Sequence, residues 1–139
     1  ALEKGKAWEK FLELVRAQGG DTTVLQHPEQ YPPPRHRREV RAQVGGVITQ
    51  LDAYRVGLAA AYLGAGRLRM DDRVDPHAGV LLVKKVGDKV SPGEPLAQLL
   101  TSTRPEELDR AEQLVRAAYA IGDKEVQPTS RILGILDSV

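Results

Sequence analysis

Val86-Gly87-Asp88-Lys89-Val90-Ser91-Pro92-Gly93-Glu94-Pro95-Leu96 is the stretch on which the fold turns. Gly87-Asp88 supplies one turn, because glycine reaches backbone angles closed to other residues and aspartate bonds to nearby backbone. Val90 plugs the core as the chain folds back. Gly93 supplies a second turn, and Leu96 enters the next strand. Val80 to Lys84 before the stretch and Leu96 to Thr101 after it are apolar runs of strand length. The spacing predicts two strands joined by a hairpin.

Upstream of that hairpin, Val40, Ala42 and Val44 alternate with Arg41 and Gln43, the period-two signal of a half-buried strand. Gly45-Gly46 reads as a turn or bulge, and Val47 to Leu51 as a second strand. Asp52 is a good N-cap for a helix running through Tyr62 and Leu63, rich in small residues and ended by Gly64-Ala65-Gly66. Arg67 to Asp75 reads as a charged loop, and Asp75-Pro76-His77-Ala78-Gly79 as a turn. Downstream, Thr103 and Glu106 have the spacing of a capping box, with Pro105 in the first turn. The helix they start should run to about Ile121, with Leu108, Ala111, Leu114, Val115 and Ala118 on one stripe. Ile132 to Leu136 is one further apolar segment.

The first residues have a different character. Trp8, Phe11, Leu12 and Val15 recur at spacings of three and four, predicting an amphipathic helix from about Lys6 to Gln18 stopped by Gly19-Gly20. Asp21-Thr22-Thr23 starts a new segment. Gln26 to Arg38 contains Pro32-Pro33-Pro34, which favours extended geometry, and reads as a crossing between two bodies of structure. Strands interleaved with helices predict the α+β class.

The chain has 139 residues, 41% hydrophobic and 28% charged, a balance that folds into one compact domain with a helical extension. A net charge of +1 provides no field that would draw nucleic acid or an acidic membrane. Cysteine is absent, which excludes disulfides and thiol chemistry and fits the cytoplasm. No apolar run approaches the roughly 20 residues that span a bilayer. The start, Ala-Leu-Glu-Lys-Gly-Lys, has no signal-peptide core and no initiator methionine, so the chain is expected to continue upstream.

Candidate chemistry is sparse. His27, His36 and His77 lack metal-ligand spacing, and the ordinary reading of each is a loop residue. Asp71-Asp72-Arg73-Val74-Asp75 matches a D-D-x-x-D pattern that binds Mg²⁺-diphosphate when the carboxylates share a helix. Here the run lies in a turn-rich loop, so a solvated acidic turn is expected. Gly64-Ala65-Gly66 fails as a dinucleotide fingerprint, because it follows a helix and Arg69 stands where the third glycine should be. Arg35-His36-Arg37-Arg38 is a short basic patch with only Tyr31 near it, which reads as a solvated run leading into a strand. A contact with a carboxylate-bearing neighbour domain is its second reading.

V-G-D-x-V-x-x-G-x-x-L, as it stands in Val86 to Leu96, resembles the hairpin of biotinyl and lipoyl carrier domains. In a carrier the next hairpin presents one modified lysine. Here the corresponding stretch is Leu99-Leu100-Thr101-Ser102-Thr103, and no lysine occurs between Lys89 and Lys124. The likeness is therefore one of fold, without an acceptor for the carrier's chemistry.

Over nearly the whole length, the chain resembles the C-terminal portion of the pyrimidine-nucleoside and thymidine phosphorylase family. Gln18-Gly19-Gly20-Asp21 after an amphipathic helix is similar to the segment leaving the family's catalytic α/β domain. Gly45-Gly46-Val47-Ile48 with Asp52, then Leu63-Gly64-Ala65-Gly66-Arg67, then Asp75 through Gly79-Val80, resemble the family's motifs in order. The Val86-to-Leu96 hairpin and Ala118-Tyr119-Ala120-Ile121 follow. The resemblance implies a hammerhead-like α/β domain with a barrel-sandwich hairpin over residues 39–139. It implies a terminal helix of the upstream catalytic domain over 1–21, and a Pro-rich crossing over 22–38.

It also implies a glycosyltransferase that splits pyrimidine nucleosides with phosphate into free base and (deoxy)ribose 1-phosphate. The family's catalytic and phosphate-binding residues lie upstream, so no catalytic, cofactor-binding or metal residue is assigned to this chain, and alone it should be inactive. Phosphate is the co-substrate of the intact enzyme. The implied partners are the upstream domains of the same chain and, in the intact enzyme, nucleoside and phosphate. A second copy would pair through the family's helical domain. Neither nucleic acid nor membrane is implied, and the implied location is cytoplasmic. Two other readings remain at this point: a carrier-like binding module without its lysine, and the C-terminal domain of an AMP phosphorylase.

Overall fold

The computed structural model describes residues 2–123 and 126 and divides into two units, Ala1–Pro33 and Pro34–Val139. The apolar segment Ile132 to Leu136 lies outside the described residues.

In the first unit, α1 spans Lys6–Ala17, close to its expected limits. The N–H groups of Gly19 and Gly20 return to the carbonyls of Arg16 and Val15, both at 2.9 Å, which closes the helix where the glycine pair predicts. Leu12 is buried, while Trp8 and Phe11 are 46% and 45% exposed with ring centroids 5.8 Å apart. The expected crossing is not uniformly extended. Asp21 accepts the Thr23 N–H at 2.7 Å and starts a short helix, α2 (Thr23–Gln26). A 3-10 turn over Pro28–Gln30 follows before the three prolines.

The second unit contains two three-stranded antiparallel sheets and two packed helices, an α+β arrangement. Strands β1 (His36–Arg41), β5 (Pro95–Thr101) and β3 (Gly79–Leu82) form one sheet, in that order. Strands β4 (Lys89–Val90), β2 (Gly46–Leu51) and β6 (Tyr119–Gly122) form the other. Helix α3 covers Ala53–Ala60 and continues as a π turn through Ala65, where Gly64 has φ 109° and ends it. Asp52 caps α3 as expected, accepting the N–H groups of Tyr54 at 2.9 Å and Arg55 at 3.2 Å. Helix α4 spans Leu108–Ala118.

Four sequence expectations are corrected. The first strand is His36–Arg41, not Val40 to Val44. Its period-two pattern runs upstream through Arg38, whose guanidinium bonds Asp109 and Glu112 of α4 beside buried Val40. Past Val40 the register with β5 shifts, and Val44 is left exposed. Second, α4 stops at Ala118, and Tyr119–Gly122 pairs with β2 from Leu51↔Tyr119 to Val47↔Gly122. Tyr119 and Ile121 alternate, and a four-residue alternation is too short to stand out after a strong helical stripe. Third, Thr103 does not cap the helix. Its hydroxyl donates to Asp75 at 3.2 Å, and a 3-10 turn over Pro105–Glu107 precedes α4.

The fourth correction concerns the hairpin. Strands β3 and β5 do pair, from Gly79↔Leu100 to Leu82↔Ala97. The connection between them does not fold back on itself. It crosses to the other sheet, where β4 pairs as Gly46↔Val90 and Val47↔Lys89. Gly87 donates to the Ile48 carbonyl at 2.9 Å, and Gly93 to the Ala42 carbonyl at 2.8 Å. Both glycines have left-handed backbone, φ 93° and 83°, as the turn reading requires.

Two apolar clusters hold this unit. Val40, Ala59, Leu63, Ala97, Leu99, Leu108, Ala111 and Val115 join α3 and α4 to the first sheet. Ala42, Ile48, Val90 and Leu96 form the second, so Val90 is the plug its position predicts. Tyr119 packs against both clusters. Each large aliphatic side chain buried here is worth about 1.5–3 kcal/mol relative to exposure.

Candidate functional site

The densest polar arrangement is the junction of the 64–79 segment with the end of β5. Asp75 is only 3% exposed. Its carboxylate accepts the N–H groups of His77 at 2.9 Å, Ser102 at 2.6 Å and Thr103 at 3.1 Å, and the Thr103 hydroxyl at 3.2 Å. Asp75 N–H in turn donates to the Gly64 carbonyl at 2.8 Å. Beside it the buried Thr101 hydroxyl donates to the Leu63 carbonyl at 2.7 Å and accepts the Arg104 N–H at 3.1 Å. Burial pushes the Asp75 carboxyl up, but the N–H groups of Ser102 and His77 and the Thr103 donors outweigh it and hold it below the usual carboxylate range.

Three residues earlier, Asp72 accepts the N–H groups of Leu68 at 3.0 Å and Arg69 at 3.1 Å. It also pairs with Arg104 at 3.3 Å. The Arg69 N–H is the largest influence lowering its carboxyl. The D-D-x-x-D run is therefore not the solvated acidic turn its composition predicts. Asp71 alone is fully at the surface, and Asp72 and Asp75 each bind their own backbone donors. A carboxylate saturated by N–H donors has little capacity left for a cation.

A second polar centre surrounds the turn pair. The Tyr119 hydroxyl lies 2.9 Å from the Lys84 carbonyl and 3.0 Å from the Leu96 carbonyl. Burial first, then the nearby Asp88 charge, push its pKa up to about 12. Lys84 reaches Glu94 at 2.6 Å, and that bond is the main cause holding the Glu94 carboxyl low. These contacts fasten both ends of the turn pair to β6 and to each other.

The remaining sequence candidates do not converge. His27 faces Glu29 at 3.3 Å in the first unit, His36 lies in β1, and His77 lies in the Asp75 turn. Among the described residues no group of three or more His, Asp or Glu side chains could hold a metal ion. His36, Arg37 and Arg38 of the basic patch lie in β1 with Arg35 just before it, and Arg38 is committed to α4. A groove of about 350 Å³ between α3 and α4 is lined by Arg55, Leu58, Tyr62, Arg110 and Leu114, among others. Arg110 stacks 3.9 Å over the Tyr62 ring, and Arg55 donates to the Ala117 carbonyl at 2.8 Å. Both cations are thus engaged with the protein itself.

Sequence reasoning missed Asp75, Thr103 and Tyr119 as anchoring residues. The Asp-Pro-His turn signal placed Asp75 in a bend, but its distant donors at Ser102 and Thr103 have no local signature. In these two centres the charges and hydroxyls bind backbone groups and one another, joining loops to sheets.

A family profile, described as the pyrimidine nucleoside phosphorylase C-terminal domain, matches residues 47–122. A pyrimidine-nucleoside phosphorylase of Staphylococcus aureus (strain bovine RF122 / ET3-1) is 38% identical over 129 residues. Proteins of the same name from strains USA300 and NCTC 8325 / PS 47 are also 38% identical over 129 residues. In each case the match covers 93% of this chain but 29% of the relative.

Proposed function

This chain belongs to the pyrimidine nucleoside phosphorylase C-terminal domain family, and on that premise we propose that it is the structural C-terminal part of a pyrimidine-nucleoside phosphorylase. The enzyme so assembled transfers the (deoxy)ribose of a pyrimidine nucleoside to phosphate, releasing the free base. Phosphate serves as co-substrate, not as a cofactor. The observation that carries the reading is the family match over 47–122, which contains both anchored polar centres. In this reading the two-sheet unit with its bridging turn pair is the family's barrel-sandwich, and α3 with α4 its hammerhead-like portion. Residues 1–21 are the last helix of the catalytic domain, residues 22–38 the crossing and residues 39–139 the C-terminal domain. The protein acts in the cytoplasm as a homodimer paired through an upstream helical domain.

The reaction needs phosphate held beneath C1′ and a polarising group at the departing base, and positioning with charge stabilisation supplies most of its acceleration. The polar groups of this chain described above are engaged with its own backbone and side chains, which suits a domain that braces the catalytic part and guides closure of its cleft. The test is base release from uridine or thymidine by the protein expressed from its full coding sequence. Release that depends on phosphate is expected. Hydrolysis without phosphate, or no release from any pyrimidine nucleoside, would refute the assignment.

A further inference from the structure

The loop between α3 and β3 exposes apolar and cationic side chains together and turns a carboxylate inward. Surface loops ordinarily turn polar groups outward. Between Arg67 and Val74, the Asp72 carboxylate is instead turned onto the backbone of Leu68 and Arg69 and onto Arg104. The apolar side chains face out: Leu68 is 43% exposed, Val74 48% and Met70 95%. Arg67, Arg69 and Arg73 are exposed around them, and none makes an ion pair among the described residues. Asp71 is the one exposed carboxylate in the stretch. Asp75, immediately after the loop, ties its base to Ser102 and Thr103.

We propose that this loop is a contact by which the domain packs against the upstream part of the same polypeptide, meeting there an acidic surface with an apolar centre. The inference rests on the functional reading above, since the relatives extend well beyond the 29% of their length that this chain spans. Charge complementarity selects the partner: three guanidinium groups without an ion pair among the described residues call for carboxylates, and the exposed Leu68, Met70 and Val74 call for an apolar patch between them. The inward carboxylates hold the loop in shape beforehand, so little ordering is left to be done on contact.

Met70 is the only methionine of the chain and reports directly on its own cover. Dilute hydrogen peroxide should oxidise it at the rate of a free methionine in the 139-residue chain, read as the sulfoxide of its peptide by mass spectrometry. In the protein expressed from its full coding sequence, oxidation should be slower by about tenfold or more, because thioether oxidation follows exposure. Equal rates would overturn the contact. Arg69→Ser with Arg73→Ser in the full-length protein should restore part of the oxidation rate, and no change would overturn the acidic character of the partner surface. The contact and the functional reading fail separately. Phosphorolysis with an exposed Met70 refutes the contact alone, and a protected Met70 without phosphorolysis refutes the activity alone.

Discussion

The Asp75 carboxylate accepts the Ser102 N–H at 2.6 Å, bridging 27 residues of chain. It thereby fixes the loop after α3 to the turn between β5 and α4. Removing the carboxylate strands two partly buried N–H donors at Ser102 and Thr103. Asp75→Ala should therefore destabilise the second unit by about 3 kcal/mol, since bonds to a charged acceptor and unsatisfied donors each cost more than a neutral bond. Urea denaturation followed by circular dichroism measures it, and a midpoint unchanged from wild type would contradict the role.

The same carboxylate sets an acid limit. Its folded pKa is held below the ordinary value, so its contribution to stability is present above the unfolded pKa of about 3.9 and is lost as pH falls through the folded value. Wild type should lose stability below about pH 4, in the range where unfolded aspartate takes up its proton. Asp75→Asn should lose less over that interval, having given up that stability at every pH. Identical pH dependence in the two proteins would contradict this.

Much of this architecture was legible in the residues, and the failures share one cause. Asp52 as a cap, Gly87 and Gly93 as left-handed turn residues and Val90 as an apolar plug each follow from residue type at one position, and each stands where its type predicts. Asp75, Arg38 and Tyr119 act across 27, 71 and 35 residues, and no local pattern encodes such partners. Arg38 read as part of a solvated basic run because its carboxylates lie on a helix much later in the chain. Tyr119 read as the end of a helix because the strand it joins is formed far upstream.

Gly93 lies at φ 83° with open space where a Cβ would stand, so a substitution there meets backbone strain and no collision. Gly93→Val should cost about 1–3 kcal/mol from that strain alone. Gly87→Val should cost a similar amount, because its φ is 93° and its nearest contact is 3.9 Å away. Thermal unfolding of each variant checks the assignment, and midpoints equal to wild type would show that the turns tolerate other geometry.

Tyr119→Phe should lower stability by about 1 kcal/mol, the worth of a neutral hydrogen bond, while leaving the packed ring in place. In the wild-type protein its hydroxyl should ionise at about pH 12. Because the folded pKa is raised, the stability it contributes is complete below the unfolded value of about 10 and is lost as pH rises through the folded one. Ultraviolet titration of wild type against Tyr119→Phe isolates this step, and a difference centred near pH 10 would contradict the burial.

Deleting residues 1–18 should leave the denaturation midpoint of the second unit unchanged, because Ala1–Pro33 is a separate compact unit. Trp8, the only tryptophan and 46% exposed, should be readily quenched by acrylamide in the intact chain. A large loss of stability on deletion would show that α1 belongs to the core of the C-terminal domain.

The central claim is that this chain braces a phosphorolytic enzyme and performs none of its chemistry. The direct measurement is release of uracil or thymine when the purified 139-residue chain is incubated with uridine or thymidine and phosphate. The account predicts release indistinguishable from a blank without protein. Phosphate-dependent release above that blank, abolished by heating the chain, would contradict it.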